Sequence, residues 1–249
     1  MSRYKAALIH LLISAVLVGN VIGIVLWIWY PKPTFEVLEV FPIVRLLVGV
    51  DLGIGPLLTL IVYKHGKPGL KFDLTVIALI QIVALVYGSY RLHEEKPDYL
   101  VFAVDRLEFI SKNRIDPSLF AYDESQAKRF ANLVQVFARF PEDPEEYQRY
   151  FDSIVVDGKP DLESRPEYWE PWSEGTDVIR KKVKSIEDIN PDSADERKNI
   201  EQAIEKYSEA HPNLGVIPLG GIEKNMGMLL DRDTLEILDV LNANPWLSN

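Results

Sequence analysis

From Ala6 to Tyr30 the chain runs for 25 residues without an Asp, Glu, Lys or Arg. At about 1.5 Å of rise per residue, this stretch of mostly Leu, Ile, Val and Ala exceeds the roughly 30 Å hydrocarbon core of a bilayer. It therefore reads as a membrane span. A secretory signal is the competing reading, but its apolar core would be about 7–15 residues ending in small side chains; here Trp27, Trp29 and Tyr30 close the run. A second run, Leu46 to Tyr63, is interrupted by Asp51, three glycines and Pro56, and a third, Leu74 to Tyr87, continues to Tyr90 with Gln81 as its main polar break. The sequence thus predicts a membrane domain over 1–91, with helices at about 6–30, 45–63 and 72–90.

Charge divides the chain at the same place. Residues 1 to 90 carry +3 and residues 91 to 249 carry −13, which together give the net −10. An acidic soluble part repels phosphate backbones, so no nucleic acid is expected as a partner; membrane lipid is. The chain has no cysteine, which excludes disulfides, thiolate catalysis and cysteine-ligated metal centres.

Lys and Arg are retained on the cytoplasmic side of a membrane. Arg3 and Lys5 precede the first span, and Lys64, Lys67 and Lys71 crowd the loop between the second and third. Three crossings then leave the N-terminus in the cytoplasm and the large C-terminal part outside, which in a double-membrane bacterium means an inner-membrane protein with a periplasmic domain. A re-entrant second segment would reverse that placement.

Asp51 is the ionisable side chain deepest in an apolar run, and an unpaired carboxylate in hydrocarbon costs several kcal/mol. Counted from the outer helix ends, Asn20, Asp51 and Gln81 lie at depths that agree within roughly 5 Å. They are expected to form an internal polar cluster, with Asp51 as the alternative contact for another protein's membrane helix. Pro56 has no N–H for the carbonyl of Leu52 and kinks its helix, while Gly49 and Gly53 form a small-xxx-small pair suited to close helix packing, within the bundle or against a partner. His10 reads as an interfacial side chain.

The segment 92–98 (LHEEKPD) reads as a polar linker, and 99–249 as an α+β soluble domain with an antiparallel sheet. Strands are expected at Tyr99–Val104 and Leu107–Ile110, around a turn at Asp105 and Arg106, and at Leu133–Ala138. Helices are expected at Glu124–Asn132, from Asp143-Pro144 to Phe151, at Asp177–Ile189, and from a capping box of Ser193 with Glu196 to His211. Ile200, Ala203, Ile204 and Tyr207 line one face of the last helix. Asp157 to Gly175 reads as a long ordered loop. Leu214–Leu219, Met226–Leu230 and Leu235–Leu241 close the chain, the last two around a hairpin turn at 231–234. Tyr168, Trp169 and Trp172 are read either as a partner-binding surface or as an anchor packed over the core.

No catalytic, cofactor or metal constellation emerges. The four histidines lack metal-type spacing, no glycine-rich phosphate loop is present, and carboxylate pairs are inevitable in so acidic a chain.

Five strings resemble the type IV pilin accessory proteins (the TfpX/TfpZ type): MSRYKAALIHLLIS at the start, GVDLGIGPLLTLIVYKHGKPGLKFDL from Gly49, YLVFAVDRLEF from Tyr99, FARFPEDPEE from Phe137, and IPLGG…LLDRDTLEILDV…NPW at the end. The resemblance implies a non-enzymatic inner-membrane helper for type IV pilus assembly, whose partner is the cognate pilin, through both its membrane helix and its globular head. It supplies no catalytic residues. On this reading Gly49, Asp51, Gly53 and Pro56 are candidate contacts for the pilin helix, and Tyr168, Trp169 and Trp172 for the head; self-association into a homo-oligomer stays open. The alternative is a subunit of a small transporter or sensor that uses the intramembrane Asp51.

Overall fold

The computed structural model describes residues 1–38, 40–120, 127–220 and 226–246. The chain forms two compact units, Met1–Lys96 and Pro97–Asn249.

The first unit holds three helices long and apolar enough to cross a membrane: α1 (Arg3–Trp29), α2 (Phe41–Val62) and α3 (Leu70–Glu94). Ser2 starts α1 by accepting the Lys5 amide on its hydroxyl. Residues Gly49–Ile54 of α2 take the wider π-helical form just before Pro56. This is where the missing proline N–H was expected to kink the helix; the chain absorbs it as a π-bulge. At the far end the unit is drawn together by an apolar cluster of Val25, Tyr30, Val40, Val44, Leu47 and Leu92, and Tyr30 donates its hydroxyl to the Leu92 carbonyl. The helix α3 runs on to Glu94, through residues read from sequence as linker.

The second unit is built from two sheets. In the first, strands run in the order β2 (Arg106–Ile110), β1 (Tyr99–Ala103), β4 (Leu133–Ala138) and β3 (Arg129–Phe130), with β5 (Trp169–Pro171) also paired to β4. Most pairings are antiparallel as expected, but β1 and β4 run parallel, Tyr99 opposite Val134 through Ala103 opposite Ala138. Both strands are buried along their whole length, which is the pattern of a strand covered on both faces. The second sheet is β6 (Lys184–Ser185), β7 (Leu214–Pro218), β8 (Gly227–Asp231) and β9 (Ile237–Leu241), all antiparallel. A parallel bridge between Leu107 and Leu219 joins the two sheets, with the Gly220 amide donating to the Leu107 carbonyl.

Helix α4 (Pro144–Val155) starts where Asp143 accepts the amides of Glu145 and Glu146. The last helix, α6 (Ala194–Tyr207), is capped by Ser193 on the Glu196 amide, and Ile200, Ala203, Ile204 and Tyr207 pack on the second sheet, the face read from their spacing. Glu196 answers the Asp192 amide in return, one residue before the cap.

Several local expectations differ from the structure. The described part of the helix expected at 124–132 is a tight hairpin: Ala131 and Asn132 both have positive φ, and Arg129–Phe130 folds back on Leu133–Val134. Residues 124–126 lie outside the described residues. Helix α5 (Thr176–Lys182) ends early because Lys184 and Ser185 are drawn into the sheet beside β7, and Ile186 and Ile189 into the core. The first hairpin turns at Val104 and Asp105, leaving Arg106 in the strand; Val104 has φ of +60°, and the Asp105 amide bonds the Ala103 carbonyl. A three-residue turn with a β-branched side chain at its positive-φ centre is a rare, strained form.

Candidate functional site: a polar cleft among the membrane helices

Helix α2 packs against both α1 and α3, which meet each other little. Between those outer helices lies a cleft of about 320 Å³, floored by α2. Its walls are apolar, with Ile9, Ile13 and Leu17 on α1 and Leu74, Ile82 and Leu85 on α3.

Polar groups from all three helices meet in this cleft. Asp51 is 3% exposed and Gln81 7% exposed. The Gln81 amide donates to both the backbone carbonyl and Oδ1 of Asp51, each at 3.2 Å. Asp51 Oδ2 and Gln81 Oε1 are buried and have no partner among the described residues. Gly55 makes this geometry accessible: a Cβ there would stand 2.0 Å from Gln81 Nε2. Nearer the N-terminal end, His10 Nδ1 lies 2.5 Å from Thr59 Oγ1.

The sequence candidates separate accordingly. Asp51 and Gln81 meet, but Asn20 does not join them: it is exposed and donates to the Val16 carbonyl of its own helix. Depth along the helices paired Asp51 with Gln81, yet depth says nothing about which way a side chain faces around its helix. Pro56 is buried beside the cluster, whereas Gly49 and Gly53 face outward with nothing within 4 Å of a Cβ built on either. The glycines that admit close helix contact are instead Gly55 and Gly88, the latter with Leu47 Cδ2 at 2.5 Å from its Cβ position. Alternation of small residues in α2 suggested Gly49 and Gly53; nothing in a lone Gly88 announced its neighbour.

In the soluble unit Trp169 and Trp172 are 1% and 4% exposed. They are core residues, not a docking surface. Trp169 packs against Tyr99 and edge-on to Phe120. Tyr168 is half-buried, and Arg165, itself 6% exposed, lies between the Tyr150 and Tyr168 rings while its guanidinium reaches Glu167 and Ser153. This clamp orders the loop at 157–168. A concavity of about 450 Å³ on this unit combines Phe102, Phe137 and the exposed Phe140 with Glu142, Glu170 and Glu174. Arg139 at its rim grips Glu146 with both terminal nitrogens and Glu170 with Nε. The hydrogen bond from Arg139 holds the Glu146 carboxyl below its usual range.

The sequence model for Fimbrial assembly protein FimB matches residues 1–38. Three fimbrial assembly proteins of Dichelobacter nodosus are similar to this chain. That of serogroup I is 27% identical over 84% of this chain and 82% of its own length, and that of serogroup E1 is 26% identical over 81% and 80%. That of serogroups C1 and C2 is 33% identical across 86% of its length, 45% of this chain. The chain belongs to the fimbrial assembly protein family. No solved structure matches it. Its place is therefore in fimbrial assembly, and its three apolar helices make it a membrane protein. The GVD…GPLLTLIV string, quoted above for its resemblance to the type IV pilin accessory proteins, contributes Asp51 and Thr59 to the lining of the cleft.

Proposed function

We propose that this fimbrial assembly protein is a non-catalytic, chaperone-like helper in the bacterial inner membrane that binds its cognate type IV pilin. The N-terminus lies in the cytoplasm, the three helices meet the pilin's membrane helix, and the acidic unit sits in the periplasm, where it meets the pilin's globular head. The observation that carries this reading is that the family relation extends over 84% of the chain, through both units, so the assembly role belongs to the membrane anchor and the soluble part together. The basic residues Arg3, Lys5, Lys64, Lys67 and Lys71 share one end of the bundle, as retention in the cytoplasm requires. Tagged full-length protein, extracted in mild detergent from fimbriated cells, retains the pilin on this reading. Loss of the pilin under conditions that keep the tagged protein intact overturns it. A reporter fused at Asn249 is active in the periplasm; activity confined to the cytosol removes the proposed contact with the head.

A further inference from the structure

We propose that the cleft between α1 and α3 is a seat for a fourth membrane helix, an apolar one that brings a single hydrogen-bond donor to Oδ2 of Asp51. The inference rests on the pilin-binding reading and names its site.

The geometry is that of a bundle with one position open. The lining runs from Ala6 to Val18 on α1, which at about 1.5 Å per residue is about 18 Å of helix length. Ala6, Ser14 and Ala78 keep the walls low enough for a backbone to approach closely. The chemistry is selective. Asp51 is buried and lines the cavity, and Gln81 answers only one of its two carboxyl oxygens. A buried oxygen without a donor is costly in hydrocarbon. A lipid acyl chain fills apolar space but carries no donor. A helix with a hydroxyl, amide or amine at that depth supplies both. Gly49 and Gly53 face outward without a buried, unpartnered oxygen beside them, whereas Asp51 Oδ2 faces the cleft, so the docking face is placed in the interior of the bundle.

The absence of cysteine and the full-length protein in native membranes make a site-specific crosslinking test direct. A photoreactive residue is placed at Ile13 or Ile82, which line the cleft, and at Val16 or Val83, which are exposed elsewhere on the same helices. Adducts with the pilin are expected from the first pair only. Asp51→Ala should lower that yield about 10- to 100-fold, the range for leaving a buried polar group without its partner, with Asp51→Asn retaining more. Ala78→Phe fills the cleft without touching Asp51 and should abolish the adduct at unchanged protein level, which guards against misfolding of the aspartate variant. Adducts with lipid or with a second copy alone, or equal yields from all four positions, overturn the proposal. If the pilin co-purifies but crosslinks only outside the cleft, the seat is wrong and the binding reading stands; if no pilin co-purifies, both fall.

Discussion

Arg165 in the soluble unit and Asp51 in the membrane unit are both ionisable residues almost wholly withdrawn from solvent, at 6% and 3% exposure. Their surroundings differ in kind. Arg165 is met by a carboxylate at 2.7 Å, a hydroxyl at 2.8 Å and two aromatic faces. Asp51 is met on one oxygen by a side-chain amide, and its other oxygen lies beside a cleft. A buried charge met by several groups holds a fold together, because removing it strands those partners. One answered by half is a place where something else can bind. On the proposal above, the two units put their buried ionisable groups to different work: the soluble unit to ordering a loop, the membrane unit to recognition.

That contrast can be broken or sharpened by substitution. The largest effect belongs to Arg165→Ala, which takes the guanidinium away from Glu167 and Ser153 and from the edge-on pair of Tyr150 and Tyr168. It should cost about 3–5 kcal/mol, read by denaturant titration of the full-length protein in detergent; a loss under about 1 kcal/mol would remove the clamp from the account. Next is Asp231→Ala. Burial pushes the Asp231 carboxyl up, but the amides of Thr234 and Asp233 and the His211 ring outweigh it and hold the group below its ordinary 3.8. Because the folded form binds its proton more weakly, this stabilisation is present above pH 3.8 and fades as pH falls through the folded value. The variant should lose about 2 kcal/mol at neutral pH, and the gap to wild type should close in acid, as followed by tryptophan fluorescence.

Smaller effects come from two backbone positions. Gly55→Ala pushes the Gln81 amide off Asp51 and should cost about 1 kcal/mol in the membrane unit, visible as a lower melting temperature in detergent. Val104→Asn relieves the positive φ at the first hairpin, a conformation Asn adopts more readily, and should raise stability by about 1 kcal/mol or less.

Much of the architecture could be read before any coordinates, and the failures have physical causes. The spans were legible because a bilayer demands length and apolarity in one unbroken segment. Helix α6 was legible down to its buried face, since a cap and a 3.6-residue stripe are both local. The hairpin at Ala131–Asn132 was missed because two residues of positive φ outweighed a helical-looking composition. The parallel pairing of β1 with β4 was invisible because a fully apolar strand does not reveal its neighbour's direction. At the site, the carboxylate and its amide partner were legible as costly groups at matching depth, while Asn20 was wrongly joined to them and the contact of Gly88 with Leu47 went unseen.

The most direct measurement is the number of surface fimbriae on cells that carry Asp51→Ala in place of wild type, with protein level and melting temperature recorded alongside. The account predicts that fimbriae fall sharply while protein level stays near wild type and the melting temperature falls no further than in Gly55→Ala, because both substitutions remove the same Gln81–Asp51 hydrogen bond. Normal fimbriation, or a fall that follows only from loss of the protein itself, would contradict it.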